Sequence, residues 1–309
     1  MGRVTDVAPS TGPLPAASET PAASAPVPVR VPDARDLRLA VVDMDGTLLD
    51  PDGEVPATLW PLLGELRERG VLLVPASGRQ YATLARTFAG ALEGMPVIAE
   101  NGTYVVRDGA ELASVTLDRA TVVEVVGALR ALAATRDVGV VLCGKRSAYV
   151  ERTDPAFLAE ARRYYAELAE VDDLLAPQDD VLKIAVYDFG DAESGTAPAL
   201  ARFRPEQQVV VSGRHWVDVM AAAANKGAAV RRLQAALGIA PAQTAAFGDY
   251  LNDLEMLDAA DLSFAMAGAH PRVRERARFT APSNAEHGVV TTLARLVGVD
   301  VATLQAATR

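Results

Sequence analysis

One pattern narrows the folds open to this chain more than any other: an apolar run that breaks without transition into an acidic glycine turn, Val41-Val42-Asp43-Met44-Asp45-Gly46-Thr47. Residues 37–42 are almost wholly apolar and lack the alternation of a strand wetted on one face. They predict a strand buried on both faces of a parallel sheet. The pattern recurs. Residues 71–75 run into Ala76-Ser77-Gly78-Arg79, and residues 244–247 run into Gly248-Asp249-Tyr250-Leu251-Asn252-Asp253. Three buried strands ending in polar, glycine-containing loops predict an open α/β sheet, whose ligand crevice lies at the C-terminal edge of its strands.

Each loop carries residues suited to one chemistry. An aspartate at a strand tip can attack phosphorus, but its charge repels a phosphate dianion unless a cation such as Mg²⁺, which takes hard oxygen ligands, neutralises both. The second aspartate is then placed to handle the proton. A surface turn, in which Asp and Gly serve backbone geometry, explains these residues equally well. Ser77 can donate its hydroxyl to a phosphoryl oxygen, with a helix start over 80–88 adding backbone N–H groups, although a serine also serves there as an N-cap. Lys226, in Asn225-Lys226-Gly227, opens a helical pattern over 228–237. A lysine at that end opposes the helix dipole, which suits one that meets phosphate, whereas a solvated surface lysine is the ordinary alternative. Asp249 falls where its strand ends, and capping accounts for one acid in the turn that follows, but not for Gly-Asp-x-x-Asn-Asp.

In this order, Asp43-x-Asp45-Gly46-Thr47, Ser77-Gly78-Arg79, Asn225-Lys226-Gly227 and Gly248-Asp249-x-x-Asn252-Asp253 resemble the motifs of the haloacid dehalogenase superfamily of phosphatases, within it the Cof-type branch. Glu100-Asn101-Gly102 and Ser283-Asn284-Ala285-Glu286-His287-Gly288-Val289 add to the resemblance, which spans about residues 37–296. It implies a Rossmann-like, doubly wound parallel core with an inserted α/β cap. Asp43 would be the nucleophile and form an aspartyl-phosphate, and Asp45 the acid and base. Mg²⁺ would bind the carboxylates of Asp43 and Asp249 and the carbonyl of Asp45. Ser77 and Lys226 would hold the phosphoryl group, with Thr47, Gly78, Arg79, Asn101 and Asn252 as further phosphate or substrate contacts. Asp253 would orient metal water or Lys226. The run Ala221-Ala222-Ala223-Ala224 departs from the more polar family pattern before Asn225. The implied activity is hydrolysis of a small phosphorylated metabolite, such as a sugar phosphate. A phosphotransferase or phosphohexomutase of the same superfamily is the alternative, and a catalytically idle phosphate sensor, whose motifs would have decayed, ranks behind both.

The domain plan follows from length and spacing. The interval from Arg79 to Asn225 is too long for a connection, and reads as a cap over 118–215, with the core at 36–117 and 216–309. Within the cap the pattern predicts helices over 121–134 and 155–170 and strands over 138–143, 148–151, 181–188, 208–211 and 215–220. Residues 1–35 hold seven of the 19 prolines and no apolar run, and read as a disordered tail rather than a signal peptide. A net charge of −10 disfavours nucleic acid and anionic membrane as partners, and no apolar stretch is long enough to span a bilayer. A single cysteine, Cys143, suits a reducing, cytoplasmic setting. The oligomeric state is left open. Gly139 to Arg146 has the spacing of a nucleotide P-loop but puts Arg where the Mg²⁺-binding hydroxyl belongs, so a β-turn is expected. Asn101-Gly102-Thr103 is a chance glycosylation sequon, and His215, His270 and His287 lack metal-ligand spacing.

Overall fold

The computed structural model describes residues 36–307, so the tail expected over 1–35 lies outside the described residues. Strands Leu39–Val42, Thr244–Gly248 and Leu262–Met266 are buried along their whole length, as apolar strands without alternation must be. With Leu72–Pro75 and Phe279–Ala281 they form a parallel sheet in the order 279–281, 262–266, 244–248, 39–42, 72–75. From Leu39–Val42 the chain steps to one side through Leu72–Pro75 and later returns on the other through Thr244–Gly248. The winding therefore reverses at Leu39–Val42, and the crevice at the C-terminal edge there is where doubly wound sheets bind ligands. Helices Leu59–Glu68, Gly288–Leu296 and Val301–Ala306 pack together in one group, and Lys226–Leu237 with Leu254–Leu257 in another. Apolar stripes such as Leu59, Leu62, Leu63 and Leu66 bury them in a core shared with the sheet.

An Asp108-Gly109 turn closes a hairpin: Tyr104–Arg107 and Ala110–Ser114 pair antiparallel, with both turn residues left-handed. Together with Pro96–Ala99 they form a separate three-stranded sheet, joined to the parallel one by a bridge between Ala76 and Ile98.

The inserted segment builds a six-stranded sheet in the order Gln207–Gly213, Trp216–Ala221, Val181–Asp188, Val138–Gly144, Ala148–Val150, Leu168–Glu170. Two expectations change here. The return to the core expected at 216 comes one strand too early, because Trp216–Ala221 is held antiparallel between Gln207–Gly213 and Val181–Asp188. The helix expected over 155–170 ends at Tyr164, and Leu168–Glu170 is instead a short strand parallel to Ala148–Val150. The reason is a competing set of bonds from the core. Tyr164 O accepts from Gln80 N–H and from the Thr83 hydroxyl, Ala166 N–H donates to Thr83 Oγ1, and the Gln80 amide brackets Glu167. Alternation along the strands sends Ile184, Val186, Val217 and Val219 into one apolar cluster and Ala185, Tyr187 and Trp216 into another on the opposite face.

Candidate active site

Register brings the three motif loops to one edge. Val42 stands opposite both Phe247 and Pro75, so the residues just beyond each strand, Asp43, Asp249 and Ser77, emerge side by side. The ladder continues past the strand tips, with Asp43 N–H donating to Phe247 O at 3.0 Å and Ala76 N–H to Val42 O at 2.8 Å. Gly46, at φ +77°, brings the backbone so close to Asp249 that an added Cβ would stand 2.4 Å from its Oδ2. Only glycine meets both demands.

The carboxylates of Asp43, Asp249 and Asp253 each offer an oxygen within 4.8 Å of the others. Among the described residues a single ammonium bonds within this group. Lys226, wholly buried, donates to Asp43 Oδ1 at 2.5 Å and to Asp253 Oδ1 at 2.7 Å. The Asn225 side chain caps the helix by accepting from Ala228 N–H at 2.7 Å, which fixes where Lys226 leaves the backbone. Burial alone would lower the lysine's pKa, but Asp253 and Asp43 hold it above the usual lysine range. The acids are left short of positive charge. Burial first, and Asp253 next, push the Asp43 carboxyl well above the carboxylate range against the pull of Lys226, and the same two causes take Asp249 to about 7. An all-oxygen set with surplus negative charge fits a hard dication. Asp253 is the least available of the three, since its second oxygen accepts from the N–H groups of Asp249 and Tyr250 at 3.0 and 3.2 Å. Asp249 Oδ1 accepts from the Thr47 hydroxyl at 3.0 Å, so Thr47 orients an acid in this structure.

Asp43, Asp45, Ser77, Gly78, Arg79, Asp249 and Asn252 line one cleft of about 120 Å³. Lys226, Asp253, Thr47 and Asn101 do not line it, yet each bonds a residue that does or the residue behind it. Arg79, read as a phosphate contact, grips Asp45 along one guanidinium edge, Nη2 donating to Oδ1 at 2.5 Å and Nε to Oδ2 at 2.9 Å, while its Cζ lies 5.1 Å from the centre of the Tyr164 ring of the cap. The two motif aspartates thus occupy opposite settings: Asp43 is buried against a lysine, and the Asp45 side chain is 45% exposed and paired with an arginine.

The opposite wall of the cleft was not foreseen. Tyr164, Tyr165, Lys183, Ser212, Trp216 and Asp218 supply it from the cap. A buried relay joins this wall to the motif loops: Asn252 Nδ2 donates to Asn101 Oδ1 at 3.0 Å, and Asn101 Nδ2 to Asp218 Oδ2 at 2.5 Å. The Lys183 ammonium stands 3.1 Å from an oxygen of Asp218 and 3.1 Å from one of Glu100, both ionic contacts outside hydrogen-bond alignment. Its aligned bond goes to the Gly78 carbonyl at 2.6 Å. Glu100 and Asn101 adopt left-handed backbone at φ 50° and 56°, strain that the packed turn sustains.

Burial raises the Glu100 carboxyl to about 7 in spite of Lys183. A folded-state pKa above that of the unfolded chain means the folded protein holds the proton more tightly. The associated stability is full below about pH 4.5 and is lost as pH rises through about 7. The melting temperature of the wild type relative to Glu100→Gln should therefore fall between pH 5 and pH 8. A difference that is flat, or that grows with pH, would contradict the assignment. Subtracting the variant cancels the titration of Asp43 and Asp249.

The remaining sequence signals have ordinary structural uses. Gly139 to Arg146 runs along strand Val138–Gly144 into a turn and a second strand, with no helix to bind phosphate. Asn101 is 1% exposed and its side chain is bonded to Asn252 and Asp218, so the folded protein uses the sequon asparagine internally. His215 meets Asp188 O, His270 caps helix Pro271–Arg276, and His287 starts helix Gly288–Leu296. Among the described residues no helix is long and apolar enough to cross a membrane.

Comparison with known proteins accounts for this geometry. Residues 40–293 match the family of haloacid dehalogenase-like hydrolases. The 5-amino-6-(5-phospho-D-ribitylamino)uracil phosphatase of Escherichia coli is 32% identical over 260 residues, covering 82% of this chain and 94% of that protein. An HMP-PP phosphatase of Cronobacter sakazakii is 31% identical over 240 residues, covering 76% and 86%. A Streptococcus mutans structure matches with a TM-score of 0.79 at 23% identity over 85% of this chain and 99% of its own, and a haloacid dehalogenase-like hydrolase from B. subtilis with 0.75 at 23% over 84% and 100%. Two structural matches at that identity speak for the fold. Together with the family match and the two phosphatases, they place this chain among the haloacid dehalogenase-like hydrolases, as a phosphatase of their Cof-type branch.

Proposed function

We propose that this phosphatase is a Mg²⁺-dependent phosphomonoesterase that hydrolyses a small phosphorylated metabolite, a sugar phosphate or related compound, through an aspartyl-phosphate on Asp43. The observation that carries the reading is the buried Asp43 carboxylate at the strand tip, bonded to Lys226 and facing Asp249 across one cleft. A carboxylate oxygen of Asp43 attacks phosphorus as the ester P–O bond breaks, and the departing oxygen takes a proton from the Asp45 carboxyl. Asp45, ionised by that transfer, then removes a proton from the water that attacks the aspartyl-phosphate. Inorganic phosphate leaves and Asp43 is restored. Asp45 is suited to both steps by its exposure, and Arg79 holds it at the mouth of the cleft. The Ser77 hydroxyl and the Lys226 ammonium hold the phosphoryl oxygens while negative charge is redistributed among them.

Asp43 and Asp249 would hold Mg²⁺, with the Asp45 carbonyl as a further ligand; bound there, the ion supplies the charge that lets an anionic nucleophile approach a dianion. The cap wall of Tyr164, Trp216, Ser212 and Asp218 faces the leaving group and selects it. Support for the substrate class comes from the Escherichia coli relative, whose name places its phosphate on a ribityl chain. A panel of phosphorylated metabolites should release phosphate with Mg²⁺ present. EDTA should stop turnover and added Mg²⁺ restore it, and release that persists undiminished in excess EDTA would reject the metal-dependent mechanism.

A further inference from the structure

The three carbonyls of the Ser77-Gly78-Arg79 loop are all bonded from one side. Ser77 O accepts from Asn101 N–H at 2.9 Å, Arg79 O from Glu100 N–H at 3.1 Å, and Gly78 O from the Lys183 ammonium at 2.6 Å. The outer two donors belong to the core's own turn. The middle one reaches across from cap strand Val181–Asp188, and because Lys183 also touches Glu100 at 3.1 Å, the three donors make one cluster. Carbonyls held in this way leave a loop N–H to face an anion, and here that N–H belongs to Gly78, because Ser77 N–H donates to Ile98 O at 2.9 Å. Gly78 lines the cleft beside Asp43, and its own N–H has no partner among the described residues. Arg79 N–H, in the same peptide as the Gly78 carbonyl, donates to Ser77 Oγ at 3.1 Å. That bond uses an acceptor lone pair of the hydroxyl and leaves its proton free for a phosphoryl oxygen.

We infer that Lys183 of the cap is a positioning residue for the phosphate-binding loop, fixing the Gly78–Arg79 peptide so that the cap completes an anion site otherwise built by the core. The inference rests on the reading of this loop as the phosphoryl cradle. Gly78 lacks the Cβ that would resist rotation of its peptides. Without the ammonium, the 78–79 peptide is free to turn over, which brings a carbonyl oxygen toward the phosphoryl group and takes Arg79 N–H off Ser77. Lys183 keeps its charge for this task, since Asp218 and Glu100 outweigh its burial and hold its pKa above the usual lysine range. Sequence alone marks Lys183 only as a lysine inside a fully buried apolar strand.

Replacing Lys183 alone would strand two buried carboxylates, so the test removes charge in step: Lys183→Met/Glu100→Gln and Lys183→Met/Glu100→Gln/Asp218→Asn, with Glu100→Gln as the control that keeps the ammonium. Inhibition of aryl phosphate hydrolysis by inorganic phosphate reads the cradle directly. In the folded Lys183 variants its inhibition constant should rise about tenfold, the loss of one charge-assisted bond, and in Lys183→Met/Glu100→Gln, which keeps Asp218, kcat/KM should fall by a common factor for aryl phosphates of different size. The Glu100→Gln control should keep the wild-type constant, and adding Ser77→Ala to a Lys183 variant should cost little more, because both changes disable one unit. An unchanged phosphate constant in a folded Lys183 variant overturns the inference, as does failure of both Lys183 variants to fold while the control folds, which would make the residue structural. If Ser77→Ala alone also leaves the constant unchanged, the reading of the loop as the cradle falls instead.

Discussion

Asp43→Asn is expected to reduce turnover of any phosphate ester by about 10³-fold or more, because an amide in place of the attacking carboxylate cannot form the aspartyl-phosphate. The same change should leave the fold intact. Asparagine has nearly the shape of aspartate, and burial with Asp253 nearby already makes the ionised Asp43 unfavourable. Sign follows from that direction: a carboxyl whose pKa is raised on folding weakens the native state at pH values above its unfolded pKa, so removing it cannot cost that contribution. In EDTA at pH 7 the melting temperature should match or exceed that of the wild type. Mg²⁺ should raise it less than it raises the wild type's, since one ligand has lost its charge. A folded variant that retains full activity would sink the nucleophilic role of Asp43. Loss of activity with collapse of the fold would instead make the residue structural.

The parts of this site that were legible in sequence share one property: they lie at the junction of a buried strand and a polar loop, where the period of the pattern changes. Asp43, Ser77 and Asp249 were found that way, and the strand register shows why they converge, because Val42 sits opposite both Phe247 and Pro75. Lys226 was legible through a local conflict, a cation at the positive end of a helix. What escaped was contributed across the cleft. Tyr164, Trp216 and Asp218 lie in the cap, and nothing in spacing along the chain says which face of an inserted sheet is turned to the core. Lys183 and Asp218 did carry a signal, since each falls inside a run of mainly apolar residues, and both side chains are buried in the fold. Two opposite charges so placed call for each other. The cap boundaries slipped for a related reason: strand Trp216–Ala221 reads alike in either sheet, and the early end of helix Pro155–Tyr164 is imposed by Gln80 and Thr83, far away in sequence.

Lys226→Met should damage activity and fold together, where loss of the nucleophile damages activity alone. Among the described residues the Lys226 ammonium is the one cation bonded within the group of Asp43, Asp249 and Asp253, and it is fully buried. Removing one partner of a buried ionic group while its acids remain costs about 3–5 kcal/mol. For a chain of this size, that is a fall of roughly 5–8 °C in melting temperature in EDTA. Turnover should drop about 10²–10³-fold, as expected when a fixed donor to the phosphoryl oxygens is lost. Mg²⁺ distinguishes this account from simple loss of packing. A dication at Asp43 and Asp249 compensates part of the charge the lysine no longer covers, so it should raise the melting temperature of Lys226→Met more than that of the wild type, while leaving activity low. A variant that melts within a degree or two of the wild type in EDTA would show that the acids do not depend on this ammonium. Equal Mg²⁺ shifts in both proteins would show that lysine and dication do not answer the same charge. The site's surplus of buried acid is then what ties binding of the ion to both the stability of the fold and the approach of a phosphate dianion.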